Sequence, residues 1–366
     1  MAGTLRRLVR VRDLSIGGGA AVSVQSMTKT ATSNVSATVA QIRELEAAGC
    51  DLVRVGVPDL AAARALGEIK SQIGIPLVAD IHFDHRLALE AIAQGVDKLR
   101  LNPGNLQDPL KIKAVVEAAA QARIPIRVGV NCGSLPHEVR ARYGVQLSST
   151  EGSARALVEA ALTHIKLLED LGFEAIVVSL KSFDVPSTIR AYEIMAAERD
   201  YPLHIGITEA GVPPAASVRS AVGIGALLSR GLGDTVRVSL TADPVEEVRV
   251  AIEVLRSLNL RAGGVTLISC PTCARCHTDL QPIAAEVERR LRPLDRRLRQ
   301  ARRDLRVAVM GCEVNGPGEA REVDVGVAAG PKSAALFVGG EIVGHIPPAK
   351  IADALVAEVE RLASKP

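Results

Sequence analysis

The chain has 366 residues, 48% hydrophobic and 23% charged, enough to bury a large core and, at this length, to divide into two domains. A net charge of +3 and only 2% aromatic residues give neither the basic excess nor the stacking rings that nucleic-acid binding calls for. No run reaches the roughly 18 apolar residues of a membrane span and the first twenty residues lack the apolar segment of a signal peptide, so the expected setting is the cytoplasm, with no membrane partner. In that reducing compartment clustered cysteines bind metal or do redox chemistry more often than they form disulfides.

From about residue 20 to 260, short β-branched runs alternate with alanine-rich stretches of helical spacing, such as TVAQIRELEAAG and DPLKIKAVVEAAAQA. The strands expected are 22–26, 52–57, 76–80, 98–101, 126–130, 175–179, 203–207 and 235–239. Eight strand–helix units in strict alternation are what a (β/α)8 TIM barrel requires. A doubly wound sheet would more often carry a GxGxxG loop after its first strand, whereas SIGGGAAVSV precedes that strand and lacks the spacing.

Residues two apart in a strand share a face. VRVGV sets Arg54 with Gly56, KLRLN sets Arg100 with Asn102, RVGVN aligns Arg127, Gly129 and Asn131, and VRVSL sets Arg237 with Ser239, each against an apolar face. With the apolar faces on the helices, four arginines point into the lumen, joined by Asp80, His82, Lys181 and Glu209 at later strand ends. Pairing each cation with a carboxylate fails, because Asp80 and Glu209 are too few for five cations. Unpaired buried charge costs several kcal/mol per ion, so an anionic ligand, better a diphosphate than a carboxylate, completes the site. His82 is as compatible with a core position as with a catalytic one, and its place beyond a strand end tilts it toward the latter.

After LNLRAGG the pattern changes, giving a first domain of residues 1–262 that binds substrate and a second of 263–366. GVTLIS runs into Cys270, an arginine-rich stretch follows, and RVAVM runs into GCEVNGPGEA; further strands and a closing helix complete a small α/β domain. SCPTCARCHTDL holds Cys270, Cys273 and Cys276, with Cys312 at the other strand end. Four thiolates would close a structural zinc site, while the Cys-x2-Cys-x2-Cys run also suits an iron–sulfur cluster; spacing leaves both open. Cys50 reads as an ordinary buried residue and Cys132 merely adjoins Asn131. RRLRPLDRRLRQARRDLR reads first as a solvated helix face and second as a docking surface for an acidic electron carrier.

The segments CPTC, GCEVNGPGEA, QSMT, VRVGVP, ADIHFD, LRLNPGN, VGVN and ITEAG together closely resemble the family of bacterial 4-hydroxy-3-methylbut-2-enyl diphosphate synthases, over nearly the whole chain. The resemblance implies a (β/α)8 barrel followed by a small sulfite-reductase-like domain holding a [4Fe-4S] cluster. It also implies an oxidoreductase that converts 2-C-methyl-D-erythritol 2,4-cyclodiphosphate to 4-hydroxy-3-methylbut-2-enyl diphosphate with two electrons from flavodoxin or ferredoxin. Its cluster ligands fall on Cys270, Cys273, Cys312 and Glu319, with Cys276 outside the pattern; the family usually has threonine there and glycine at Ala274. A homodimer is implied, with the barrel of one subunit facing the cluster domain of its partner. On this reading Arg54, Arg100, Asn102, Arg127, Asn131, Lys181, Arg237 and Ser239 bind the cyclic diphosphate. Glu319 is the exchangeable ligand, and His82, Asp80 or Glu209 supplies the proton. A zinc-stapled barrel enzyme for a pterin or phosphosugar, and a scaffold protein with structural cysteines, are the rival readings.

Overall fold

The computed structural model describes residues 5–102, 105–106, 108–144 and 149–364. Pro103 and Gly104 of the LRLNPGN segment lie outside the described residues. The chain divides between Arg261 and Ala262 into two compact units.

The first unit opens with an antiparallel hairpin, β1 (Val9–Val11) and β2 (Leu14–Ile16). Eight strands follow: β3 (Ser23–Met27), β4 (Leu52–Val57), β5 (Leu77–Ile81), β6 (Lys98–Leu101), β7 (Ile126–Asn131), β8 (Ile176–Lys181), β9 (His204–Ile205) and β10 (Thr235–Val236). They run parallel in the order β8-β7-β6-β5-β4-β3-β10-β9, and a parallel bridge from Val178 to Leu203 joins β8 to the start of β9 and closes the ring. This is the expected (β/α)8 barrel.

The loops that leave the strands end in side chains able to start a helix. Asn34, Asp59, Asp84, Asp108, Asp184 and Asp243 each accept a backbone N–H in the first turn of the following helix, satisfying a donor that has no partner within the helix. Proline in the first turn of Pro109–Ala122, Val185–Glu198 and Pro244–Ser257 fixes the entry backbone where no N–H is needed. The apolar strand faces and the buried stripes of these helices form one continuous core.

The hairpin was not anticipated, because two three-residue strands carry too little pattern to register. Its Val11 and Ile16 pack with Leu52 and Val78, all four fully buried. Leu52 shares a strand face with Arg54, and Val78 with Asp80, so the hairpin seals the lumen at the N-terminal ends of the strands. Burial of each such side chain contributes about 1.5–3 kcal/mol. The last two barrel strands are shorter than the sequence suggests, leaving Arg237 and Ser239 beyond β10. The Arg237 N–H still donates to the Ile205 carbonyl at 3.0 Å, but the Leu240 N–H turns to the Glu247 carboxylate at 3.1 Å, so a side chain takes over the role of the neighbouring strand.

The second unit is a mixed sheet in sequence order: β11 (Gly264–Ser269), β12 (Asp304–Met310), β13 (Val325–Ala329), β14 (Ala334–Val338) and β15 (Glu341–Ile346). The first three are parallel and the last two antiparallel. Helices Leu280–Gln300 and Ile351–Ala363 cover one face and the short helix Gly316–Arg321 the other. In the arginine-rich helix Val287, Leu291, Leu294 and Leu298 are buried, while Arg289, Arg292, Arg296 and Arg297 are exposed, which is the solvated-face arrangement. Among the described residues no helix is long and apolar enough to cross a membrane.

Candidate active site

The barrel lumen gathers the cations that the strand faces pointed to. Arg54, Arg100, Arg127 and Lys181 are buried, with Arg237 partly so. Asp80 lies among them: Arg100 Nη1 donates to its Oδ1 at 2.9 Å and Arg54 Nε stands 3.6 Å from its Oδ2. Burial alone would raise the Asp80 carboxyl, but Arg54, His82 and Arg100 beside it hold it well below the carboxylate range. Burial pulls the Arg54 guanidinium down to about 9, with Asp80 opposing and Arg237 and Arg100 adding to the depression. For Arg127 and Lys181, burial again leads, and neighbouring cations push further in the same direction.

Arg100 also approaches His82 Nε2 at 2.8 Å and donates to the Gly129 carbonyl at 3.1 Å. A guanidinium only donates, so His82 Nε2 accepts where Arg100 binds it, while His82 Nδ1 faces the Asn105 amide nitrogen at 2.6 Å. Asn102 is tied to Ser134 at 3.1 Å, and Asn131 pairs in register with Lys181. Two glycines make space for the cations. A Cβ on Gly129 would stand 2.7 Å from Arg100 Nε, and one on Gly206 would stand 2.9 Å from Lys181 Nζ.

Three lumen groups escaped the sequence reading. Lys98 lies two residues before Arg100 on the same face and is fully buried; its Nζ has no hydrogen-bond partner among the described residues. Burial, then Arg127 and Arg54, hold its amine well below the usual lysine range. His204 is likewise fully buried, with neither ring nitrogen hydrogen-bonded among the described residues. Strand parity was the available signal for both. Glu247 is the third: it lies in Pro244–Ser257, is buried, and stands 3.5 Å from Arg237 and 3.6 Å from Lys29. The signal there was its position on the buried stripe with Val248, Ala251 and Leu255. Even with Glu247, the carboxylates remain fewer than the cations, and Nε of Arg100, Nε and Nη1 of Arg127 and Nε of Arg237 are buried without a hydrogen-bond partner among the described residues. Such groups are costly unless an acceptor joins them.

Glu209 makes no ion pair with this cluster among the described residues. It is exposed, has a left-handed backbone (φ 53°), and lines a cavity of about 420 Å³ with Cys132, Arg140, Ser182 and Thr208. A larger open hollow of about 620 Å³ lies between Ser33, Asn34, Glu68 and Gln72 and offers no cation. Cys50 is buried in the core, with burial pushing its thiol up to about 12, which makes it inert at neutral pH.

In the second unit Cys270 directly follows β11 and Cys312 follows β12, the adjacent parallel strand. The Gly311 N–H points at Cys270 Sγ at 3.4 Å, and the backbone N–H groups of Asn315, Val314 and Gly316 lower the Cys312 thiol. Cys273 and Glu319 are exposed. Cys276 is drawn in beside Cys270, as the Cys-x2-Cys-x2-Cys reading allowed and the family pattern did not imply: its Sγ donates to the Thr278 carbonyl at 3.1 Å, and the neighbouring His277 N–H is tied to the Gly311 carbonyl at 2.8 Å. Among the described residues no three His, Cys, Asp or Glu side chains are gathered as a ready metal cage. The fit to an iron–sulfur cluster therefore rests on the donors: thiols at two adjacent strand ends, with backbone N–H groups that favour thiolate. The arginine-rich end of Leu280–Gln300 leads into the start of β12, so the seven residues of that strand, about 20 Å, separate it from the cysteines.

A parallel barrel with a cationic lumen, joined to a thiol-bearing α/β unit, defines an anion-binding enzyme with a metal or redox appendage. Residues 6–252 match the GcpE TIM-barrel domain and residues 266–361 the GcpE protein C-terminal domain. The chain belongs to the GcpE family. It is 53% identical to the 4-hydroxy-3-methylbut-2-en-1-yl diphosphate synthase (flavodoxin) of Geobacter sulfurreducens, over 97% of each chain. It is 52% identical to the protein of that name from Dehalococcoides mccartyi, over 97% of each, and 50% identical to that of Thermodesulfovibrio yellowstonii, over 97% of this chain and 98% of the relative. A solved dihydropteroate synthase from Yersinia pestis is similar over 69% of this chain and 98% of its own, at 13% identity and a TM-score of 0.48, too distant to decide anything about this protein.

Proposed function

We propose that this protein catalyses the two-electron reductive ring opening and dehydroxylation of 2-C-methyl-D-erythritol 2,4-cyclodiphosphate to 4-hydroxy-3-methylbut-2-enyl diphosphate, a step of isoprenoid biosynthesis. The barrel, residues 1–262, is the substrate domain, and residues 263–366 hold a [4Fe-4S] cluster through Cys270, Cys273, Cys312 and Glu319. The carrying observation is the excess of buried lumen cations over carboxylates, with guanidinium N–H groups left without acceptors among the described residues. A diphosphate supplies both the charge and the acceptors.

When bound, the cluster supplies the two electrons, received from flavodoxin or ferredoxin. Arg54, Arg100, Arg127, Lys181 and Arg237, with Asn102, Asn131 and Ser239, hold the diphosphate and stabilise the negative charge that grows on its oxygen as the ring opens. Asp80 is ionised and anchors Arg54 and Arg100, which argues against it as the proton donor. His82 is the better placed group. Once a diphosphate engages Arg100, His82 Nε2, 3.4 Å from Asp80, is released to face the substrate and pass on a proton. Glu209, lining the cavity beyond the ends of β7, β8 and β9, is the second candidate. Glu319 is exposed, and a carboxylate holds iron less firmly than a thiolate, so it is the ligand best able to give way. Family resemblance supports a homodimer, which sedimentation measures directly.

The test is anaerobic turnover of the cyclodiphosphate by iron-loaded protein with a chemical reductant, with the product identified by mass spectrometry. Arg54→Ala and Arg237→Ala should weaken binding and leave iron content unchanged. No product from fully loaded protein, or unchanged binding in both variants, refutes the proposal.

A further inference from the structure

A cysteine stands at position 276 although the proposed ligand set does not use it. The space it fills is made by Gly311, 35 residues further along the chain. A Cβ added to Gly311 would stand 2.3 Å from Cys276 Sγ and 3.5 Å from Cys270 Sγ. The two sulfurs are thus separated by no more than the sum of those distances, on the same side of one glycine. Hydrogen bonds fix the backbone around them: Cys276 N–H to the Cys273 carbonyl at 2.9 Å, His277 N–H to the Gly311 carbonyl at 2.8 Å, and Cys270 N–H to the Val309 carbonyl at 3.4 Å. Both thiols are half-buried against the same core, whereas Cys273 is exposed and Cys50 and Cys132 belong to the barrel unit.

We infer that Cys270 and Cys276 form a reversible disulfide when the protein is without its cluster. The oxidant is a peroxide. One thiolate attacks a peroxide oxygen, giving a sulfenic acid and hydroxide; the second thiolate then displaces the sulfenic oxygen, which leaves as water once protonated. The balance is two thiols and one hydrogen peroxide to one disulfide and two waters, with both sulfurs oxidised and the peroxide reduced. A dithiol reductant reverses it. The sulfurs, within 5.8 Å of each other, must rotate to bonding distance, and the missing Cβ at Gly311 leaves space beside both. The bond protects Cys270 from further, irreversible oxidation to sulfinic and sulfonic acid. This protective role rests on the proposed ligation by Cys270; the disulfide itself does not.

The test uses the full chain, stripped of iron by a chelator under anaerobic conditions and then given one equivalent of hydrogen peroxide. Peptide mapping without reduction should find the Cys270 and Cys276 peptides joined, and dithiothreitol should restore both free thiols. Given excess peroxide, since sulfinic acid takes two equivalents per thiol, Cys276→Thr of unchanged circular dichroism should accumulate it at Cys270 several-fold faster than the unaltered protein. Linkage through Cys273 as the main product, or equal over-oxidation of Cys270 in both proteins, overturns the inference. If the disulfide forms but the reduced protein takes up no iron and sulfide, the disulfide stands and the cluster assignment fails.

Discussion

Gly56 and Gly129 occupy equivalent places in their strands, each two residues after a lumen arginine, yet the structure assigns them different tolerances. Neither has a positive φ, so alanine fits the backbone at both. At Gly56 the new methyl would meet only Met27 Cε at 3.8 Å, an ordinary contact. At Gly129 it would stand 2.7 Å from Arg100 Nε and 3.2 Å from Ser179 Oγ, so the guanidinium must move. That guanidinium is held by Asp80 at 2.9 Å, His82 at 2.8 Å and the Gly129 carbonyl at 3.1 Å. Gly129→Ala should therefore cost about 1–3 kcal/mol of stability through overpacking. It should also forfeit a charge-assisted contact to the diphosphate of about 1.5–3 kcal/mol, raising KM roughly ten- to hundredfold. Gly56→Ala should leave KM within a factor of about two, since it disturbs no charged contact. Anaerobic steady-state kinetics and thermal melting measure both quantities. An unchanged KM in Gly129→Ala, or an equal rise in Gly56→Ala, would refute the reasoning, because Arg100 would then not be the group the missing Cβ protects.

Cys270→Ser, Cys273→Ser and Cys312→Ser should each lose iron and sulfide on anaerobic purification, while Cys276→Thr keeps both; loss in Cys276→Thr with the fold intact would make it a ligand. Glu319→Cys should hold its iron firmly and turn over poorly, and normal turnover would remove ligand exchange at this position from the mechanism. His164 is buried in Thr150–Asp170 with Nε2 unpartnered among the described residues, and burial pulls its imidazole down to about 4. Its folded value lies below the unfolded one, so the unfolded chain binds the extra proton and stability falls as pH drops from about 6.5 through 4. Urea titrations of His164→Leu should show a shallower acid loss, by about 3 kcal/mol at the low end, and parallel curves would contradict a neutral buried imidazole. Lys98→Met removes a buried amine at similar volume and should raise the melting temperature at neutral pH, by about 1–3 kcal/mol in stability; a lower one would mean the amine has acceptors that repay its burial.

The sequence by itself determined the barrel, its strand faces and the lumen arginines, because side-chain alternation in a strand is local. Arg54, Arg100, Arg127 and Arg237 point inward for the same reason that Val53, Leu99, Val128 and Val236 point outward. The caps at the helix starts, Asp59, Asp84 and Asp243, are equally local chemistry that the reading of the strands passed over. What parity cannot state is which charges meet. Glu247 reaches Arg237 from a helix, and two carboxylates of similar standing in the sequence part company, Asp80 pairing within the arginine cluster and Glu209 lining the cavity beyond the strand ends. The ends of β9 and β10 were equally hidden, since strand length depends on where a neighbour or a side chain accepts the next N–H. The hairpin that seals the barrel and the pairing of Cys276 with Cys270 through Gly311 join residues distant along the chain. Only the folded backbone decides such contacts, because they depend on the space left between elements, and a missing Cβ at position 311 has no meaning until the loop of residues 270–276 is folded over it.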